Sequence, residues 1–366
     1  MKYLIAALFS LALVVASADC ESHDGSGLHP YPDLISGVRI SGPLDFCGEA
    51  VPLENQDVRE RLEKELLLTV WDRPQVALWI KRSNRYLPII EKMLKESDLP
   101  QDLKYIAVIE SALRPHAGSR RGAIGFWQFL EATGLKYGLV INSEKDQRRS
   151  VFHSTQAAIA YFKELYDLLG SWTLAAAAYN MGEQGLLSEI LAQKTQDYYQ
   201  LYLPLETQRY VPRIIAAKII LSDPDTYGFH YTREDLYPPL QFDRLKLHCF
   251  QETPIFLIAQ AAKTGFKNIK DLNPEIRGHY LAAGSHWILV PRGAADGFQE
   301  RFKVLVEQWE AENKDRIYVV KEGDNLSTIA ERFNVPLPAL IIWNRLEDKK
   351  HIYPGDRLVI YPENDE

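Results

Sequence analysis

Acid–base chemistry needs a carboxyl group whose pKa the fold has moved, and in this sequence Glu110 is placed for it. At about 100° per residue, Leu99, Leu103, Ile106 and Ala107 share one helical stripe. Glu110 points within about 20° of Leu103 on the same wheel, in the middle of the apolar face. An ordinary Glu is solvated, because burial without a partner is costly. One that faces an apolar wall is desolvated, and its pKa climbs toward neutrality. In that state it can protonate a glycosidic oxygen near pH 7. Pro100 suits the first helical position and Asp102 the first turn, and Pro115 is expected to stop the helix just after Arg114. Glycines at 118, 122 and 125 then make a tight loop before the apolar Phe126-Trp127-Gln128-Phe129. No second acid from Ala107 to Leu130 has a comparably buried position; Glu131 reads as solvated. His116, near Glu110 in sequence, reads as a loop histidine.

The elements that must hold this acid are helical. The stretch 57–70 places Val58, Leu62, Leu66 and Val70 on one face, and Pro74 and Pro88 punctuate the helical pattern beyond it. Residues 155–169 form another helix, ended by Gly170. Ser171 or Thr173 can cap the next, 174–179, whose alanines allow close helix approach. That helix delivers Tyr179-Asn180, a pair that could equally be only a cap. A further helix is expected over 211–221, just after Glu206, Thr207 and Tyr210.

These residues carry a resemblance. Glu110-Ser111-Ala112, Pro115, and Gly122-Ala123-x-Gly125-x-Trp127-Gln128-Phe129 resemble the start of the soluble-lytic-transglycosylase catalytic domain, which goose-type lysozymes share. Phe126 departs mildly from the pattern. Tyr179-Asn180-Met181-Gly182 resembles the family's A-Y-N-x-G motif, and Glu206-Thr207-x-x-Tyr210-Val211 its closing E-T-x-x-Y-V. The likeness covers about residues 86–222, with three motifs in the family's order, and together with the C-terminal module described below it resembles the family's membrane-bound D type. It implies that Glu110 is the single catalytic acid, and that Ser119, Tyr179 and Asn180 orient the acid and the substrate's acetamido group. Gln128 and Glu206 would bind sugar hydroxyls and amides, Tyr210 would pack or hydrogen-bond beneath the site, and Ser111 would bond backbone at the helix end.

The C-terminal third repeats. Ile258-Ala259 and Ile329-Ala330 lie 71 positions apart, as do Asn273 and Asn344, Gly284 and Gly355, and Pro291 and Pro362. Each copy reads strand, helix, helix, strand, and the Glu- and Lys-rich stretch between them reads as a semi-rigid helical spacer. The second copy, with Tyr318-Val319-Val320-Lys321-x-Gly323-Asp324-x-Leu326, Ile329-Ala330, Asn344 and Ile352-x-Pro354-Gly355, resembles the LysM module. That resemblance implies a βααβ fold that binds N-acetylglucosamine in glycans through Gly323, Asp324, Asn325, Asn344, Pro354 and Gly355. Asn325 stands where the family most often has Thr or Ser. The first copy lacks the Gly-Asp pair and reads as a degenerate sibling.

With 46% hydrophobic and 25% charged residues and a net charge of −7, the 366-residue chain is globular, and nothing suggests a nucleic-acid partner. No zinc spacing, phosphate loop or G-x-S-x-G motif is present, so neither metal nor cofactor is expected. Lys2, the apolar run 3–15 and Ala16-Ser17-Ala18 form an export signal. The site favours cleavage before Asp19, because Asp19 spoils a lipid signal at Cys20. Membrane attachment is expected only if Cys20 is lipidated, which would leave Cys47 and Cys249 to pair.

The sequence therefore predicts an α+β protein: a mainly α-helical lysozyme-like catalytic domain plus small βααβ modules. Its expected divisions are a signal (1–18), a loose leader (19–56), a helical support (57–85), the catalytic domain (86–225), a degenerate LysM-like module (241–292), a spacer (293–314) and a LysM module (315–362). The resemblance implies a lytic transglycosylase in the bacterial periplasm or envelope, acting on peptidoglycan. It would cut the β-1,4 bond from N-acetylmuramic acid to N-acetylglucosamine without water, leaving 1,6-anhydro ends. A goose-lysozyme-like hydrolase and a non-catalytic wall-binding scaffold are the alternatives. Product mass separates the first, and the presence of Glu110 argues against the second.

Overall fold

The computed structural model describes residues 35–40, 42–313, 317–344, 346 and 351–360. The signal, Cys20 and Pro362 lie outside them. Part of the expected leader is built into the fold: β1 (Asp45–Phe46) and β2 (Glu49–Ala50) make a small hairpin that buries Phe46 completely. Helix α1 (Gln56–Trp71) comes next, with the Asn55 side chain accepting the Asp57 amide, and buries Val58, Leu62, Leu66 and Val70. Helix α2 (Arg73–Glu96) takes Pro74 in its first turn and continues through Pro88, so the expected boundary at residue 86 falls inside a helix.

A 3-10 turn at Gln101–Leu103 leads into α3 (Lys104–Ser111). This helix stops earlier than Pro115 requires. Ala112 and Leu113 take left-handed φ of 53° and 56°, a conformation that non-glycine residues adopt only when the surroundings hold them. Here the Ala112 amide returns to Val108 O, Arg82 donates to Ala112 O, and Leu113 is fully buried. Helices α4 (Glu131–Lys136), α5 (Val151–Leu169), α6 (Trp172–Met181), α7 (Glu183–Gln193) and α8 (Leu205–Ser222) complete the helical body. Ser171 is the cap of α6, accepting the Leu174 amide. Helix α8 begins six residues before the expected 211, which places Glu206 and Tyr210 one turn apart on one helix.

The first repeat comprises β3 (Phe242–Cys249), β4 (Thr253–Pro254), α9 (Ile255–Ala261), α10 (Phe266–Leu272), β5 (Tyr280–Leu281) and β6 (Gly284–Pro291). Strands β3 and β6 pair antiparallel from Phe242↔Pro291 to Cys249↔Gly284. Helix α11 (Phe298–Asn313), the expected spacer, is not free. Phe298 and Phe302 enter the first repeat's core, and Arg301 Nε donates to Ala261 O at 2.7 Å. The second repeat has β7 (Ile317–Val319), α12 (Leu326–Arg332), α13 (Leu337–Trp343) and β8 (Arg357–Val359), with its own smaller core.

Both repeats close on one asparagine. Asn273 Nδ2 donates to Ile269 O and Leu289 O while its Oδ1 accepts the Leu289 amide. Asn344 does the same with Leu340 O, Val359 O and the Val359 amide. Asn273 reaches 16 residues on and Asn344 15, so the 71-residue offset does not run through the closing strand. Cys47 and Cys249 are both free thiols, so the pairing that lipidation of Cys20 would leave to them is not formed.

Candidate active site

Helix α3 presents Glu110 from the end of its buried stripe; Leu103, Ile106 and Ala107 are completely inaccessible. Burial pushes the Glu110 carboxyl up to about 7. The hydrogen bond from Tyr210, whose hydroxyl donates to Glu110 Oε1 at 2.5 Å, works in the other direction, as does the Arg213 guanidinium, while Glu206 adds a push upward. The result is a carboxyl poised between its two protonation states near neutral pH. Tyr210 comes from α8 and is itself buried, with its own pKa driven well up by burial and by Glu110.

Tyr179 lies near the same acid: burial, and then the Glu110 charge, raise its pKa. Its ring stacks on Phe162 with centroids 4.8 Å apart, and its hydroxyl donates to Trp127 O at 2.6 Å. Next to it, Asn180 Oδ1 accepts from Thr207 Oγ1 at 2.9 Å, which orients the amide. The alanine face of α6 lets these residues sit deep, since Ala175 to Ala178 are all inaccessible. Helix α6 is anchored at its start by an acid that sequence reasoning missed. Glu49, in the hairpin, accepts from the Trp172 and Thr173 amides and from the Ser171 and Thr173 hydroxyls. A carboxylate on these orphan amides satisfies them and complements the helix dipole. Ser171 and Thr173 are visible as caps in sequence, but nothing local points to an acid 122 positions away.

The glycine-rich loop folds on itself. Ser119 N donates to Ala123 O, Ile124 N to Phe129 O and Gly125 N to Ala117 O. At Gly125, φ is +83° and a Cβ would stand 1.8 Å from Arg148 O, so only glycine fits. Ser111 Oγ donates to Ala107 O and Phe126 O, fastening this loop to α3 by backbone, as expected. Two expected ligands turn out to have work inside the protein. Gln128 Nε2 donates to Gly125 O and Ala117 O, so this amide holds the loop. Ser119 Oγ is exposed and accepts the Arg121 and Ala123 amides; no contact joins it to Glu110 among the described residues. Glu206 stands at the rim, its side chain 60% exposed, and pairs with Arg213 at 3.1 Å. Arg213 also reaches the buried Glu65 of α1, which Arg209 holds at 2.5 Å. Neither Arg213 nor Glu65 was singled out from sequence, because their pairing crosses two helices far apart in the chain.

In the second repeat, Gly323 and Gly355 take φ of +86° and +96°. Asp324 is engaged by the Tyr318 hydroxyl, the Lys321 amide and Arg332. Asn325 forms a capping box with Thr328, doing what the family's hydroxyl residue would do. With Asn344 closing the strand, these three polar side chains are committed to the module's own frame. Gly323, Pro354 and Gly355 remain exposed at the surface.

A helical body that sets Glu110 at the end of an apolar stripe and under the Tyr210 hydroxyl, followed in the chain by a βααβ module, defines a lytic transglycosylase of the lysozyme-like class. Residues 88–202 match the Transglycosylase SLT domain, and residues 318–360 match the LysM domain. The chain is 30% identical over 354 residues to Membrane-bound lytic murein transglycosylase D of Escherichia coli, strain K12 and O6:H1 alike, covering 92% of this chain and 74% of those proteins. It belongs to their family. A Putative tributyltin chloride resistance protein of Alteromonas sp. is 33% identical over 115 residues, 31% of this chain and 56% of that one.

Proposed function

We infer that this protein is a peptidoglycan lytic transglycosylase held on its substrate by the LysM module. The observation that carries the reading is the state of Glu110, a carboxyl raised by burial to about 7 and bonded by Tyr210. A protonated Glu110 gives its proton to the glycosidic oxygen as the C1–O bond of N-acetylmuramic acid breaks. The substrate's own 2-acetamido carbonyl shares electrons with the cationic carbon, which dispenses with a second carboxylate. The Glu110 carboxylate then takes the proton of the C6 hydroxyl as that oxygen bonds to C1, closing the 1,6-anhydro ring. Glu110 ends as it began, and no water is consumed.

Tyr210 keeps the acid in place through both proton transfers. Tyr179 and Asn180 line the acid's side of the site and orient the acetamido group, Gln128 offers its carbonyl oxygen, and Glu206 with Arg213 contacts sugar at the rim. Ser119 shapes the loop rather than meeting the acid. In the LysM module the glycan lies along Gly323, Pro354 and Gly355, on a frame set by Asp324, Asn325 and Asn344. The protein works in the cell envelope, and its mature form begins at Asp19 without a lipid. Intact-mass measurement on envelope protein checks this, and a diacylglycerol adduct on Cys20 would overturn it.

Mass spectrometry of products from purified peptidoglycan tests the reaction. Expected are ends about 18 Da lighter than reducing sugars, the water that ring closure excludes. Reducing ends would make the protein a hydrolase.

A further inference from the structure

The first repeat meets the catalytic body where Phe242 packs edge-on against Phe152 of α5, with ring centroids 5.5 Å apart, and at residues 142–146, and the second of these contacts leads to the active-site loop. Lys145 and Ile276 form an antiparallel β-bridge. The Asp146 amide donates to Glu275 O at 2.8 Å, the Arg277 amide to Glu144 O at 2.8 Å, and Arg277 Nη1 to Asn142 O at 3.1 Å. Asp146 is 1% exposed and Arg148 4%, and they pair through two bonds, Nε to Oδ1 at 2.8 Å and Nη2 to Oδ2 at 2.9 Å. The remaining guanidinium nitrogen, Nη1, donates to Gly122 O at 3.0 Å and Phe129 O at 3.3 Å. These two carbonyls bracket the stretch that carries Gly125 and Gln128, and Gly125 packs directly on Arg148 O.

A buried ion pair is a poor way to add stability, since apolar residues of the same size often do as well. A guanidinium does supply something they cannot: five donors in a fixed planar fork. Here two sides of the fork meet Asp146 and the third meets both ends of the loop, so the loop's position is read from Asp146. Asp146 is in turn set by the backbone of the first repeat. We propose that Arg148 is a positioning residue for the active-site loop, and that the first repeat is the brace that holds it in register rather than a second wall binder. This rests on the transglycosylase reading, and it explains why the repeat can lack the Gly-Asp turn and still be kept folded against the body.

The test uses the full chain and a short soluble glycan fragment of peptidoglycan, so that wall binding does not enter the rate. Arg148→Lys keeps the charge but has no fork. Its kcat should fall ~10- to 100-fold, the range expected when reacting groups shift by about 1 Å, with KM changed less than the rate. Hydrogen exchange should quicken at the Ser119, Ile124 and Gly125 amides and stay unchanged in α8, at a temperature where circular dichroism shows the variant folded. Arg277→Ala, which cuts one tie between the repeat and residues 142–146, should lower kcat in the same direction by a smaller factor. Unchanged kcat and loop exchange in Arg148→Lys would overturn the positioning role. Unchanged kcat in Arg277→Ala with a loss in Arg148→Lys would overturn the brace and leave the positioning. If Arg148→Lys fails to fold, Asp146→Asn, which keeps the shape but weakens the hold on the fork, takes its place, and unchanged kcat and loop exchange there overturn the positioning role. The wild-type products decide the transglycosylase reading separately, because the exchange experiment needs no particular product.

Discussion

The two repeats share a βααβ frame closed by one asparagine, yet they meet their surroundings in opposite ways. The first is covered on one side by α11, through Phe298 and Phe302, and joined on another to the catalytic body at residues 142–146. The second keeps a core of its own and carries the Gly323 and Gly355 turns at its surface. One frame is thus proposed as a brace in the first copy and as a binder in the second. The frame's polar network, Asn273 or Asn344, is the same in both, so the difference in use comes from the turns and the partners rather than from the fold.

Substitutions can separate the braced unit from the open one. Glu110→Gln has the largest expected effect: cleavage falls by at least ~10³-fold, because both proton transfers pass through this group, while peptidoglycan pelleting, which belongs to the second repeat, persists. The same variant has a pH signature. Burial holds the folded-state pKa of Glu110 at about 7, above that of an unfolded chain. Its contribution to stability is complete below the unfolded value and is lost as pH rises through about 7. Glu110→Gln, which does not titrate, should therefore gain in thermal stability relative to wild type between about pH 5 and pH 8. Wild-type cleavage should decline above about pH 7 as the acid loses its proton.

Next come the matched asparagines. Asn273→Ala takes the side-chain partner from the Leu289 amide and carbonyl, while Ile269 O keeps the backbone amide of residue 273, a loss of about 1–3 kcal/mol. It should lower cleavage of soluble fragments several-fold through the brace. Asn344→Ala should leave that cleavage intact and weaken pelleting instead. Equal effects on both assays from both variants would erase the distinction between the repeats.

Glu49→Gln removes the charge on the start of α6 and should cost about 1 kcal/mol, seen as a lowered melting temperature of the catalytic body with LysM binding unaffected. Glu206→Gln, at the exposed rim, should reduce cleavage only a few-fold, roughly an order of magnitude less than a general acid–base residue. A loss as deep as that of Glu110→Gln would give Glu206 a proton-transfer role.

The features legible in the sequence are local ones. Glu110 lies on a stripe that helical periodicity exposes, Gly170 ends the helix just before it, and Ser171 caps the helix that begins beside it. Asn325 caps its helix although it stands where the LysM family most often has a hydroxyl residue. What escaped the sequence depends on pairings between distant segments. Glu49 tops a helix far down the chain, Arg148 clamps a loop through carbonyls that carry no side-chain signature, and α11 lies against a core that its charged composition conceals. Pro88 misled because a proline marks a helix end only statistically. Pro115 misled because tertiary contacts turned Ala112 and Leu113 left-handed before the proline was reached. For Gln128 and Ser119, the residue types point correctly to polar, loop-borne groups, but their hydrogen bonds are spent on the loop itself.

The docking of α11 on the first repeat has a mechanical consequence. A free charged helix would be a swinging tether, whereas this one, about 24 Å long at 1.5 Å per residue, is fastened to the braced unit. Only residues 314–316 separate its end from β7, four Cα steps that reach at most about 14 Å when fully extended. The wall anchor and the cutting centre are then joined by a ruler rather than a leash, so cuts should fall at a narrow range of distances from the point of attachment. Inserting a flexible Gly-Ser stretch after Asn313 should broaden the distribution of glycan lengths released without changing the rate on soluble fragments; an unchanged distribution would mean that the arm does not measure.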